Sequence, residues 1–99
     1  MKNTEIEDRN EPKANIFFRL SIIGYELGDL NKDIVYMRRF PNEKEAHRAD
    51  SKLSLADLLT QISILCIELG FDEEEIRKMG KAHLNERYSE FEKRGWKEV

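Results

Sequence analysis

The scarcities of this chain narrow it first. It holds one cysteine, Cys66, so no disulfide can form within it. Cys66 stands in the apolar run Ile64-Leu65-Cys66-Ile67, where it reads as a small buried hydrophobe in a reducing compartment, not as a nucleophile. The glycines Gly70, Gly80 and Gly95 are too dispersed to build a phosphate-cradling loop. Neither sign of charge dominates. Seventeen basic against twenty acidic residues leave −3, which offers no basic excess for a nucleic-acid backbone. The apolar stretches are broken by Arg19, Glu26, Asp57 and Gln61, so no segment is expected to span a membrane. Met1 to Lys13 lacks the apolar stretch of a secretory signal, and a cytoplasmic location is expected by default. His47 and His83 have no zinc spacing, and no Ser-His-Asp or Cys-His arrangement can be assembled.

Ninety-nine residues make one small domain, for which three or four helices alone are marginal and oligomerisation would help. With 37% charged and 39% hydrophobic residues, amphipathic helices suit the chain better than a sandwich or barrel. Residues 1–13 read as a polar, loose arm and residues 14–99 as the helical domain. Ile16, Leu20, Ile23, Leu27, Leu30, Ile34 and Met37 alternate steps of four and three, which places them on one helical stripe. Asn15 is positioned as its N-cap, and Pro41 ends it. Residues 42–50 are polar enough to be a loop or a short surface helix. A second long helix is expected from near Ser51 to Leu69, with Gly70 to terminate it. Leu55, Leu58, Ile62, Leu65 and Leu69 form its main stripe. The third opens at Asp72, where Glu75 completes a capping-box pattern, and ends near Gly95. Its core side is expected from Ile76, Met79, Leu84 and Phe91, and Trp96 should pack on a bundle end. No strand pattern appears. The expectation is an all-α antiparallel bundle of three long helices, assembled as an oligomer.

Acids lie beside both long stripes. Glu26 and Asp29 are three residues apart, hence neighbours on the first helix, and Asp33 continues their line. Ser54, Asp57 and Gln61 form a comparable line on the second. Antiparallel packing would let both lines border one cleft. Like charges converging there would repel unless a cation neutralised them, and all-oxygen ligands favour Mg²⁺ or Mn²⁺. Solvated flanks of two ordinary amphipathic helices would show the same pattern.

The phrases Tyr25-Glu26-Leu27-Gly28-Asp29-Leu30-Asn31-Lys32 and Leu55-Ala56-Asp57-Leu58-Leu59 resemble the two halves of the MazG-like, all-α nucleoside triphosphate pyrophosphohydrolase signature. That signature reads E-E-x-x-E followed, after an interval, by E-x-x-D. The resemblance extends from about Asn15 to Trp96. It implies that Glu26, Asp29 and Asp57 coordinate Mg²⁺ around the substrate phosphates, with Glu26 orienting the attacking water. Tyr25 stands where the family has its first Glu, and Ser54 where it has the Glu of E-x-x-D. Ser54 is thus left as a substrate-side hydroxyl. Lys32, one turn beyond Asp29, is a phosphate contact by the same resemblance, or an ion-pair partner of Asp29. The stretch Lys81-x-x-x-Asn85-x-Arg87-Tyr88 resembles the family's late K…N..RY pattern, which implies substrate contacts from Lys81, Asn85 and, less directly by its place on the helical wheel, Arg87.

The resemblance therefore implies a Mg²⁺-dependent hydrolase cutting the α–β bond of a nucleoside triphosphate. It also implies a homodimer or a dimer of dimers with sites lined from more than one subunit. The departures at Tyr25 and Ser54 leave open a catalytically weak or inactive nucleotide-binding protein. A structural helical oligomerisation module is the reading in which the acids are only surface residues.

Overall fold

Asn15 starts the first helix as its position before the apolar stripe predicts. Its Oδ1 accepts a hydrogen bond from the Phe18 amide at 3.1 Å, which caps α1 (Ile16–Arg39). Arg38 and Arg39 fill the last turn, where positive charge complements the helix dipole. The computed structural model describes residues 10–97. A single 3₁₀ turn, Pro41–Glu43, reverses the chain directly into α2 (Lys44–Leu69).

The start of α2 corrects the expected boundary near Ser51. Lys44, Glu45, Ala46, Arg48 and Ala49 are good helix formers with no glycine or proline among them, so the helix continues back to the turn. His47 anchors this extension. Its ring meets Tyr36 edge-on at 5.3 Å and lies 6.2 Å from Phe40, while Nε2 is 3.1 Å from Glu43 Oε1.

Helices α1 and α2 form an antiparallel hairpin. Its seam is more polar than the apolar stripes suggest. The buried line contains Arg19, Asp33 and Gln61 beside Ile22, Ile64 and Cys66. The predicted stripe lies one residue further along, about 100° round each helix. Leu20, Leu27 and Ile34 on α1, with Leu55, Leu59 and Ile62 on α2, are all substantially exposed. In an antiparallel pair, one step toward each C-terminus turns both helices to the same side. These residues consequently share one open apolar face.

Gly70 ends α2 with φ of 75°, a left-handed conformation that glycine reaches without the Cβ penalty. The Phe71 amide bonds Cys66 O at 2.8 Å and the Gly70 amide bonds Ile67 O at 3.0 Å, the paired closure of a Schellman motif. Helix α3 (Glu73–Lys93) then leaves at a bend of 109° and packs against α2 alone. The expected capping box does not form, since Asp72 makes no side-chain cap bond. Glu73 instead pairs with Arg77. A second Schellman closure ends α3: Gly95 has φ of 86°, and the Trp96 amide bonds Phe91 O at 2.9 Å. Trp96 stacks on Tyr88 at 5.8 Å and touches Phe91, so it packs on its own helix end.

The described chain is all-α, with three long helices and no strand. Ile76, Met79 and Leu84, the expected core side of α3, are exposed, and no residue of α3 is fully buried. Extents of 61 × 43 × 19 Å reflect this open elbow. Among the described residues no single helix is long and apolar enough to cross a membrane.

Candidate functional site

Two of the three candidate acids border the same cleft. Glu26 of α1 and Asp57 of α2 line one cleft of about 330 Å³ with Ile22, Thr60, Gln61 and Asn10. Glu26 is half-buried at the seam, whereas Asp57 is exposed. The arrangement follows from the hairpin register. Glu26 shares the buried line of Arg19 and Asp33, while Asp57 lies one residue before that line's counterpart on α2 and turns to the side opposite the apolar face. Asp29 is half-buried but outside the cleft lining.

Ser54 is not a vacant ligand position. Its hydroxyl donates to Asp33 Oδ2 at 2.6 Å, and Asp33 is buried. The Ser54 hydroxyl is therefore matched by an acid from the facing helix. A glutamate placed there would set two carboxylates against each other. Lys32 is exposed, and no ion pair joins it to Asp29 among the described residues. Lys81, Asn85 and Arg87 are exposed on α3, which makes no contact with α1. Arg87 lies over the Phe91 ring at 5.6 Å. Within one chain these three are not brought to the acids of α1.

A connected polar network, unread in the sequence as a unit, occupies the neighbouring seam. Arg19 is fully buried, and its Nε donates to Glu68 Oε1 at 2.9 Å while Nη2 donates to Oε2 at 3.2 Å. Nη1 donates to Gln61 Oε1, and Nη2 also to the Glu11 carbonyl at 2.8 Å. Gln61 Nε2 then donates to Asn10 Oδ1 at 3.1 Å, and the Lys13 amide to Glu68 Oε2 at 2.7 Å. The end of the polar arm, residues 10–13, is thus fastened to the hairpin instead of loose; residues 1–9 lie outside the described residues. The available signal was a pair of opposite charges inside apolar runs, Arg19 after Phe17-Phe18 and Glu68 after Cys66-Ile67.

The electrostatics follow these contacts. The hydrogen bond from the Arg19 guanidinium holds the Glu68 carboxyl below its ordinary value of 4.5, against the opposing effect of burial, with the Lys13 amide assisting. Glu73 is likewise lowered, first by the Ser63 hydroxyl and then by the charge of Arg77.

Glu26, Asp57 and Thr60 present hard oxygen atoms around the cleft, a donor set that suits Mg²⁺ or Mn²⁺. Mg²⁺ commonly takes one or two protein carboxylates and fills its octahedron with water and phosphate oxygens, so two acids fit one ion. No group of three His, Cys, Asp or Glu residues among the described residues is placed to hold a metal, which does not fit an all-protein cage. Comparison of the chain with family models, with curated proteins and with solved structures finds no match.

Proposed function

We propose that this protein is a Mg²⁺-dependent nucleoside triphosphate pyrophosphohydrolase that works as a homodimer or dimer of dimers. The observation that carries the reading is the joint placement of Glu26 and Asp57 on one cleft between antiparallel helices. Both carboxylates would hold the cation, with Asp29 as the third ligand that the resemblance implies. Mg²⁺ bound there would neutralise phosphate charge and polarise the α-phosphoryl group. Glu26 orients a water toward the α-phosphorus and takes its proton as the new P–O bond forms. The bridging oxygen between the α- and β-phosphorus leaves with pyrophosphate, and the nucleoside monophosphate remains. Lys32 and, from a second copy, Lys81, Asn85 and Arg87 supply positive charge and hydrogen bonds to the triphosphate. A reducing, cytoplasmic setting suits the lone buried thiol of Cys66.

Purified protein with Mg²⁺ should release pyrophosphate from at least one member of a panel of ordinary and modified nucleotides. Glu26→Gln should lower that rate by on the order of 100-fold or more, since it removes both a ligand and a base. If no nucleotide is turned over, and Glu26→Gln leaves Mn²⁺ binding unchanged, the hydrolase reading fails. The Ser54–Asp33 bond favours a weaker enzyme or a nucleotide binder, because it commits the Ser54 hydroxyl to a structural partner. Nucleotide affinity without pyrophosphate release would select that version. The open apolar face supports the structural-oligomer reading, for which thermal stability should be indifferent to both Mg²⁺ and nucleotides.

A further inference from the structure

The segment Asn10–Lys13 is tied across the hairpin by side chains of both helices. Gln61 Nε2 holds Asn10 Oδ1 at 3.1 Å, Arg19 Nη2 holds the Glu11 carbonyl at 2.8 Å, and Glu68 Oε2 holds the Lys13 amide at 2.7 Å. The first bond reaches the cleft itself, since Asn10 forms its wall together with Glu26 and Asp57. Immediately beyond the segment, Ala14 has φ of 53°, in the left-handed region that alanine adopts only at a cost. The bend into α1 is therefore maintained by the bonds on its far side.

We propose that Asn10–Lys13 is a strap that closes one end of the Glu26/Asp57 cleft and lifts when a divalent cation with its phosphate ligand enters. The proposal rests on the reading of that cleft as the cation site. Three features suit a strap that opens. Its backbone ties are hydrogen bonds, so the Glu11 carbonyl and the Lys13 amide can pass to water. Its two charged anchors stay paired with each other after release, because Arg19 Nε and Glu68 Oε1 are already 2.9 Å apart. Its cleft-side anchor, Gln61, accepts from Arg19 and donates to Asn10, so its amide is committed while the strap is down and its Nε2 is released when the strap lifts. Relaxation of the left-handed bend at Ala14 favours opening. A closed strap lowers the apparent affinity of the cleft in proportion to the fraction of open molecules.

The test compares the full-length protein with a double variant, Asn10→Ala with Lys13→Pro. This variant removes the Gln61 acceptor and the amide donor but leaves the Arg19–Glu68 pair. Mn²⁺ alone is the probe, titrated and read by electron paramagnetic resonance, with circular dichroism to verify that helix is retained. The double variant should bind Mn²⁺ about five-fold or more tightly than the parent, and Asn10→Ala alone should give a smaller gain. Glu26→Gln on the double-variant background should abolish the added binding. In the unmodified protein, Mg²⁺ with inorganic pyrophosphate should speed exchange of the Lys13 amide hydrogen, followed by nuclear magnetic resonance. Mn²⁺ binding that depends on Glu26 yet is equal or weaker in the variants would overturn the strap and leave the cleft standing. Absence of any Glu26-dependent binding in every protein would overturn the cleft reading, and the strap with it.

Discussion

Glu68 accepts from a buried guanidinium and from a backbone amide at once, which makes it the residue whose charge the fold most clearly requires. Because its native pKa lies below its ordinary value of 4.5, its contribution is complete above that value. The contribution fades as pH falls through the depressed native pKa, and Glu73 acts in the same direction. Urea midpoints measured from pH 7 down to 3 should drop steeply below about 4.5, the ordinary carboxylate value. Glu68→Gln should start from a lower midpoint and show a shallower fall; an unchanged slope would refute the assignment. Ser54→Ala tests a different residue, since it strips the buried Asp33 of its hydroxyl donor. Loss of on the order of 1–2 kcal/mol in denaturant unfolding is expected for a buried acceptor left unmatched. Ala14→Gly should stabilise the protein by up to about 1 kcal/mol, because glycine accepts the left-handed φ at lower cost. At this scale the sequence was only partly legible. Helical periodicity identified Glu26 and Asp57 as acids beside an apolar stripe on each helix. It could not match Arg19 to Glu68, forty-nine positions away, because periodicity says which residues share a face and not which faces meet.

The helices were far more legible than their contacts. Asn15, Gly70 and Gly95 act at the ends where cap chemistry puts them. Helix α2 begins earlier than expected because the polar residues 44–50 have strong helix propensity, and Asp72 makes no side-chain cap bond. The Gly70 elbow yields an element-scale prediction. A Cβ there meets open space, so Gly70→Ala acts through backbone conformation alone. It should cost about 1 kcal/mol, and up to about 2, in thermal or denaturant unfolding. Amide hydrogens near residues 66–71 should exchange faster with it; an unaltered exchange pattern would mean that the elbow tolerates the side chain.

Only Ile22, Ile64 and Cys66 are buried hydrophobic residues among those described, too small a core for a chain this size to rely on. The exposed leucines and isoleucines shared by α1 and α2, and the bare stripe of α3, are apolar surface that association would cover. In light scattering the protein should run as a dimer or tetramer. Leu27→Glu with Leu59→Glu, which places charges in the middle of that face, should shift it toward monomer and lower its thermal stability. A monomeric parent protein would sink the oligomer and, with it, any site that needs α3 of a second subunit. Stripes in the sequence announced surplus apolar surface but not its disposition. The reason is physical: Arg19, Gln61 and Asp33 took the centre of the hairpin, and the apolar stripe was turned aside.

That polar centre also bears on which hairpin forms at all. Arg19–Glu68 and Asp33–Ser54 are separated by two heptads on both helices, so both pairs are satisfied in the same alignment. Leucine-rich stripes alone would accept a slide of one heptad, since each leucine would find another opposite. Sliding the helices by seven residues in one direction would instead bring Glu26 against Glu68 and strand the guanidinium of Arg19 without its carboxylate. The polar seam therefore acts as a key, making misaligned hairpins expensive during folding and leaving one register for the cleft to be built on.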